Sequence, residues 1–187
     1  MLRIGSTARG YLVVMTLAFL ALMPIWAVGS EASINKDVAA ALTNLYQQVP
    51  AAKRLAERAK AVLVCPSVVK GGLIVGGQYG EGALRKGGET VGYYSTAGVS
   101  YGLQAGAQSF GYALFFMNDA ALKYLDQSGG WELGVGPSVV VVDQGMAETL
   151  TTTTAQKDIY AFIFGQKGLM AGLGLQGSKI TRIRPDK

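Results

Sequence analysis

The sequence predicts an α+β fold, in which N-terminal amphipathic helices cover a mainly antiparallel, strongly bent, glycine-rich β-sheet or partly closed barrel. Three observations lead to this prediction. Apolar residues follow a helical period in the N-terminal third, short β-branched and aromatic segments fill the rest, and 26 glycines among 187 residues interrupt those segments. Many short strands with few helical crossovers indicate antiparallel pairing, and amphipathic helices need an apolar sheet face to cover.

Residues 32–63 are predicted to form two helices, separated at Pro50, which ends the first helix and begins the second. The apolar positions at helical spacing are Val38, Leu42, Leu45 and Val49 in the first helix, and Leu55, Ala59, Val62 and Leu63 in the second. The charged residues Lys53, Arg54, Glu57 and Arg58 gather on another side of the second helix. Lys53 and Glu57 have the spacing of a helical ion pair.

Residues 64–84 are apolar and β-branched, yet a glycine interrupts them every few residues. These glycines are Gly71, Gly72, Gly76, Gly77, Gly80 and Gly82. Glycine at this density marks bulges, tight bends or close backbone approach within strands. A nucleotide-binding P-loop would require Gly-Lys-Ser/Thr at the head of a helix, whereas Lys70 precedes the glycines. The segment therefore predicts glycine-bent β structure.

Six further segments are predicted as strands, at residues 90–95, 99–104, 109–117, 138–143, 159–164 and 169–176. The continuous apolar run at 139–142 is typical of a strand covered on both faces. Asn118 or Asp119 can cap a short helix that stops at Gly129-Gly130. Residues 85–88 predict a hairpin turn, and the basic C-terminal residues that begin at Lys179 predict an edge strand guarded by charge.

The absence of histidine excludes several kinds of site. No Ser-His-Asp or Cys-His nucleophile and no histidine metal site can form. The single cysteine, Cys65, excludes an internal disulfide and a thiolate zinc cluster, and we expect it to be a small buried hydrophobe. We therefore expect no metal and no cofactor. The tyrosines near Tyr93 have no basic stripe beside them, so a nucleic-acid partner is not expected.

The N-terminus has the pattern of an export signal. Arg3 and Arg9 flank the start of an uncharged apolar stretch at residues 11–23, which is shorter than the roughly 20 residues of a spanning helix. Small residues at Ala27 and Gly29 predict cleavage before Ser30. We expect residues 1–29 to be a signal peptide, and residues 30–187 to be a single exported, periplasmic domain that associates peripherally with a membrane.

Several short phrases occur in a fixed order along the chain. They are AKAVLV running into PSVVKGG at residues 59–72, GGQYGEG at 76–82, VGYY at 91–94, YGLQAGAQ at 101–108, FFM at 115–117, GGWELG at 129–134 and KGLMAG at 167–172. Together they resemble the SYLF domain family, over nearly all of residues 38–187. The resemblance implies a lipid-binding domain with a basic amphipathic helix at its start, which in yeast members overlaps an actin-binding region. For an exported protein, we expect binding of an anionic phospholipid head group alone to carry over.

Five basic residues form the candidate lipid-binding site: Lys53, Arg54, Arg58, Lys60 and Lys70. Arg54 and Arg58 stand at i and i+4, where two like charges repel unless an anion lies between them. Lys60 and Lys70 are expected to flank the turn into the β region. Amphipathic helices at a bilayer interface direct basic side chains toward lipid phosphates. The alternative is a packed helix whose charges face only water.

Two other functions stay open. The first is a structural or partner-binding protein of the cell envelope, without a lipid ligand and with an unknown protein partner, in which the sheet is a scaffold. The second is an enzyme that uses carboxylates. The candidates for such chemistry are Asp119, Asp126, Glu132, Asp143 and Glu148, but the sequence indicates no pairing among them. The sequence therefore favours a non-catalytic lipid-binding domain.

Overall fold

The protein has the predicted α+β fold. The computed structural model describes residues 29–72, 75–101, 106–127, 129–150, 156–168, 175 and 177–187. The helices are α1 (Glu31–Gln48), α2 (Pro50–Ala56), α3 (Asp119–Leu122), which continues as a 3-10 turn (Lys123–Asp126), and α4 (Gln144–Thr149). The strands are β1 (Ala61–Gly72), β2 (Val75–Lys86), β3 (Glu89–Tyr101), β4 (Gly106–Phe116), β5 (Trp131–Glu132), β6 (Val139–Val141), β7 (Ile159–Gly168) and β8 (Lys179–Ile183).

The eight strands in the described parts of the chain form one sheet, which curls strongly into a half-barrel. Their order is β5-β8-β3-β2-β1-β4-β7-β6, so β1 and β2 lie at the centre. Neighbouring strands are antiparallel except for β6 and β7, which are parallel. The prediction of a mainly antiparallel, strongly bent sheet is thus confirmed.

Close backbone approach between β1 and β2 explains the glycines of this segment. The register of β1 shifts between Val64 and Ser67, which is a β-bulge. At Gly82 a Cβ atom would overlap the Val64 carbonyl group, and at Gly80 it would lie 2.6 Å from the Ser67 carbonyl oxygen. Since no side chain fits at these two positions without a backbone shift, the prediction of glycine-bent β structure is confirmed.

Helix α1 covers one face of the sheet, which we call the helix face. The Ser30 hydroxyl caps this helix by accepting a hydrogen bond from the Ser33 backbone N–H at 3.2 Å. The buried side chains between α1, α2 and the sheet include Ile34, Val38, Leu45, Leu55, Val64, Phe115 and Phe162. A second core lies on the opposite face of the sheet and includes Leu63, Val68, Tyr94, Phe110, Tyr112, Trp131 and Ile180. The amphipathic helix prediction for α1 is therefore confirmed.

A chain of polar contacts fixes α1 against the β2–β3 hairpin. The Asn35 side chain donates to the Tyr93 hydroxyl at 2.8 Å and accepts from the Thr90 hydroxyl at 2.6 Å. Arg85 donates to Thr90 at 3.0 Å. The hairpin turn predicted at residues 85–88 is present, and it rests on Gly87 and Gly88, whose φ angles are 59° and 90°. Arg85 therefore stabilises the turn through its hydrogen bond to Thr90.

The second predicted helix is too long. It ends at Ala56, and the chain enters strand β1 at Ala61. Val62 and Leu63, which the helical pattern assigns to one apolar side, instead point to opposite faces of the sheet, where each is buried. A short apolar run is compatible with either helix or strand, and pairing with β2 and β4 decides in favour of the strand.

Three strand predictions also need correction. The segments at 90–95 and 99–104 belong, as far as the structure describes them, to the continuous strand β3. Strand β6 is at the sheet edge, where Val141 is 47% exposed, so it is not covered on both faces. Strand β8 is not an edge strand, because it pairs with β3 on one side and with β5 on the other. The strand predicted at 169–176 lies outside the described residues except for Leu175, which is buried.

The predicted signal peptide also lies outside the described residues, apart from Gly29. None of the helices in the described segments combines the length and the apolar composition that crossing a bilayer requires. The short helix predicted after residue 118 is present, and the Asn118 side chain caps it by accepting from the Ala121 backbone N–H at 2.8 Å.

Candidate functional site

Four of the five predicted site residues form an exposed basic segment, which we define as residues 53–60. Lys53 and Arg54 lie in the last turn of α2, whereas Arg58 and Lys60 lie in the connection from α2 to β1. All four side chains are exposed, as is that of Glu57. Because four basic residues accompany one acidic residue, the basic segment carries a net positive charge.

The charges of the basic segment are not neutralised by carboxylates. Among the described residues, Arg182 and Asp126 form an ion pair at 3.9 Å, but no side chain of the basic segment does. The predicted ion pair between Lys53 and Glu57 is therefore absent. Arg58 lies beyond the last residue of α2, but Glu57 keeps αR angles and the Ala59 N–H donates to the Leu55 carbonyl at 2.9 Å, so Arg58 follows Arg54 by about one helical turn. Unpaired exposed cations remain available to an external anion.

Arg54 differs from its basic neighbours because it also contacts the body of the protein. Its guanidinium donates a hydrogen bond to the Leu150 backbone carbonyl at 3.3 Å, directly after α4. This contact holds the side chain against α4 while it stays largely exposed. Arg54 therefore lies at the boundary between the basic segment and the cleft described next.

A cleft of about 940 Å³ opens beside the basic segment. Its walls come from the α1–α2 junction, from α4, and from strands β6 and β7. The apolar part of its lining includes Leu45, Val49, Val142, Phe162 and Phe164. Arg54 lies in one wall, and Asp143 and Glu148 lie in the wall that contains α4. The cleft thus offers an apolar interior with charges of both signs, an arrangement that suits an amphipathic ligand.

The two acidic residues of this wall are not equivalent. The Asp143 carboxylate accepts a hydrogen bond from the Met146 backbone N–H at 2.8 Å and so caps α4. Glu148 is exposed on the same helix. Sequence reasoning missed the cleft, because its walls are far apart in the chain and because α4 was not predicted. The sequence signal that could have predicted α4 was Asp143, because aspartate often caps a helix and this one follows the apolar run at residues 139–142.

Lys70, the fifth predicted residue, is separated from the basic segment. It lies near the end of β1 and is 8% exposed, so it does not flank the turn into the β region as expected. Its neighbours on β1 show which way it points. Val68 packs in the core on the sheet face opposite the helix face. Side chains alternate along a strand, so Lys70, two residues after Val68, also points away from the helix face.

Three of the side chains capable of nucleophilic or acid–base chemistry are buried or have a structural partner: Cys65, Asp126 and Asp143. Burial raises the pKa of the Cys65 thiol to about 12, so the thiol is neutral at pH 7. Asp126 is paired with Arg182, and Asp143 caps α4. Among the described residues, no cluster of three His, Cys, Asp or Glu side chains could hold a metal ion. The described residues thus offer an apolar cleft beside an exposed basic segment.

Comparison with known families agrees with this arrangement. Residues 97–186 match the family model described as "Ysc84: Las17-binding protein actin regulator". No curated protein matches the chain. Domains of this family are known for binding actin or lipid, and in general they are binding domains without enzymatic activity. The match over residues 97–186 agrees with the resemblance to the SYLF family that the sequence phrases show.

Proposed function

We propose that this protein is a non-catalytic, exported lipid-binding domain that associates with anionic phospholipid head groups at a membrane surface. The observation that carries this proposal is the exposed basic segment. Its four cations form no ion pair with any described carboxylate, and Arg54 joins them to an apolar cleft. The match of residues 97–186 to a family known for lipid or actin binding supports the proposal. Export rests on the signal pattern of residues 1–29.

The expected strength of the association follows from the charges. A basic residue near an anionic bilayer contributes about 1 kcal/mol. Lys53, Arg54, Arg58 and Lys60 together would contribute at most about 4 kcal/mol, because Arg54 is partly engaged with Leu150 and Glu57 opposes the others. The association is therefore reversible. It should weaken as salt rises, since exposed charges are screened within about 8 Å at physiological ionic strength.

The test reverses two charges of the basic segment, with Lys53→Glu and Arg58→Glu in one protein. Both side chains are exposed and have no hydrogen bond or ion pair among the described residues, so the fold should survive. The matched control is Lys86→Glu with Lys123→Glu, which changes the same charge at two exposed lysines elsewhere. Arg85 is unsuitable as a control because it braces the β2–β3 turn through Thr90.

Binding is measured by co-sedimentation with vesicles of phosphatidylglycerol and phosphatidylcholine, and with vesicles of phosphatidylcholine alone. The parent protein should sediment with the acidic vesicles. The Lys53/Arg58 variant loses two cations, each worth about 1 kcal/mol, and gains two repelling carboxylates. Its affinity for the acidic vesicles should therefore be at least tenfold lower than that of the parent. Equal losses in the control variant would show a diffuse charge effect and would reject the basic segment as the site. If the parent protein binds neither kind of vesicle, the lipid-binding proposal is rejected in favour of a partner-binding protein of the cell envelope.

A further inference from the structure

The buried polar side chains of the described residues gather near one end of the central strands. They are Lys70, Thr96, Gln108 and Ser178, which are 8%, 0%, 6% and 1% exposed. Their surroundings are otherwise apolar. On the same face, Val68 and Phe110 are two residues away from Lys70 and Gln108 along their strands, and Ile180 lies opposite Thr96. Polar groups are rarely buried together in an apolar core without a partner to satisfy them. We call this group, together with Gln78, the interior polar cluster.

Strand register places the members of the cluster side by side. Lys70 on β1 lies directly opposite Gln78 on β2 and Gln108 on β4. Adjacent strands are about 4.8 Å apart, so the Lys70 side chain stands between two glutamines. Thr96 belongs to the next row of the same face, on β3. The cluster therefore spans the four central strands.

Part of the cluster is satisfied and part is not. The Gln78 side-chain amide donates to the Ser178 hydroxyl at 2.6 Å. The Gln108 Oε1, Thr96 Oγ1 and Tyr112 hydroxyl oxygen atoms are buried without a hydrogen bond of normal geometry, and the Tyr112 hydroxyl lies close to Thr96. Lys70 forms no ion pair with a carboxylate within the described residues. A cation with little access to solvent and buried oxygen atoms without hydrogen bonds are costly in an apolar environment, and a ligand that pairs with Lys70 and Gln108 would remove part of that cost.

We propose that Lys70, Gln108 and Thr96 form a second ligand site, which takes a phosphate ester that carries a free hydroxyl group. The phosphate oxygens accept from the Lys70 ammonium, and the ligand hydroxyl donates to Gln108 Oε1 or Thr96 Oγ1. A soluble phosphate ester and the glycerol phosphate head group of a lipid share this chemistry. The lipid form of the proposal deepens the lipid-binding function proposed above and rests on it.

The other face of the same strands favours the lipid source. Val69, Val75 and Val99 are 44%, 56% and 68% exposed, and the register places them on the helix face, beyond the part that α1 covers. Exposed apolar side chains grouped at one end of a sheet mark contact sites for a membrane, a ligand or a partner protein, and a membrane contact fits the lipid function proposed above. An end of the sheet that meets the bilayer would bring a head group close to Lys70.

The test uses thermal unfolding with two soluble ligands, glycerol 3-phosphate and short-chain dihexanoyl phosphatidylglycerol. A ligand at 100 times its Kd should raise the Tm of the parent protein by about 5–10 °C. Lys70→Met removes the ammonium and keeps the length of the side chain. Because an unpaired buried charge is replaced by an apolar group, we expect this variant to have a higher Tm than the parent without ligand and no Tm shift with ligand. Lys123→Met, at an exposed lysine outside both proposed sites, is the control and should keep the ligand shift.

A shift with glycerol 3-phosphate would identify a soluble phosphate ester as sufficient, and a shift with the short-chain lipid alone would identify the lipid head group. Either shift supports the site provided that Lys70→Met abolishes it. A parent protein that responds to neither ligand, or a Lys70→Met variant that keeps the shift, overturns the proposal. If Lys70→Met does not fold, Gln108→Leu replaces it and should weaken binding at least tenfold; unchanged binding would again overturn the proposal. These results are independent of vesicle binding by the Lys53/Arg58 variant, so the two proposals can fail separately.

Discussion

Gly82 offers a sharp test of how the central strands are packed. Replacing Gly82 with alanine places a methyl group against the backbone of β1 at its bulge. The added Cβ would overlap the carbonyl group of Val64 and would lie 2.9 Å from the Cα atom of Cys65. Both contacts are with backbone, so no side-chain rotation relieves them. Strands β1 and β2 must therefore move apart locally, or the bulge must change its geometry.

The expected cost follows from this geometry. Forcing extra carbon into a well-packed region costs about 1–3 kcal/mol, and sometimes more when backbone must shift. Alanine recovers part of this, because glycine in a strand is about 0.5–1 kcal/mol worse than alanine for entropic reasons. We expect a net loss of up to about 2.5 kcal/mol for Gly82→Ala, which lowers the Tm by up to about 10 °C in a domain of this size.

The matched control is Gly77→Ala on the same strand. There the nearest heavy atom to an added Cβ is the Gly98 carbonyl oxygen at 3.9 Å, which is ordinary van der Waals contact. Gly77→Ala should therefore leave the stability unchanged or raise it by up to about 1 kcal/mol. Urea unfolding followed by circular dichroism measures both variants. Equal destabilisation by the two substitutions would show that close approach at the bulge is not the reason for glycine at position 82.

Three further predictions concern Cys65, Asp158 and the N-terminal segment. The Cys65 thiol, neutral and buried, should react with a maleimide only on unfolding, so its labelling rate in native protein should track the unfolding equilibrium across a urea titration. Hydrogen bonds from Ser138 and Asn118 lower the pKa of Asp158 below its ordinary value of 3.8, so its stabilising effect is present above that value and is lost as the pH falls through the folded-state pKa. Asp158→Asn should thus cost about 1 kcal/mol at pH 7, and the difference from the parent should shrink below pH 4 in urea titrations. If residues 1–29 are a cleaved signal peptide, mass spectrometry of the exported protein should find an N-terminus near Ser30, and an intact Met1 would reject cleavage.

The sequence predicts those elements that depend on local pattern. Helix α1 follows from apolar residues at helical spacing, and the β2–β3 turn follows from Gly87 and Gly88. The end of α2 cannot be read in this way, because residues 57–63 fit a helix until strand pairing is considered. Val62 lies opposite Phe115 of β4 in the sheet, and this partner is distant in sequence. Tertiary pairing therefore overrides the local helical pattern at Val62.

The candidate site divides along the same line. The basic segment is visible in the sequence because its cations are adjacent. The burial of Lys70 is not, because it depends on strands β2 and β4 on either side of β1 and on the core that covers them. The cleft beside Arg54 combines residues from α1, α4 and β7, which no local pattern connects. Long-range register thus decides which of the five predicted lysines and arginines meet solvent.

The family match begins inside β3, but the sheet requires the residues that precede it. In the strand order, β2 and β1 lie between β3 and β4. A fragment of residues 97–187 would keep β4, β7 and β8 but lose β1, β2 and residues 89–96 of β3, which join β8 to β4 in the sheet. It would also lose the buried Leu63, Val64 and Val68 of the two cores. We therefore expect this fragment to lack the far-ultraviolet circular dichroism of a folded sheet and to show no cooperative urea transition. A cooperative transition in the fragment would show that the matched region folds alone and that β1 and β2 are dispensable for the domain.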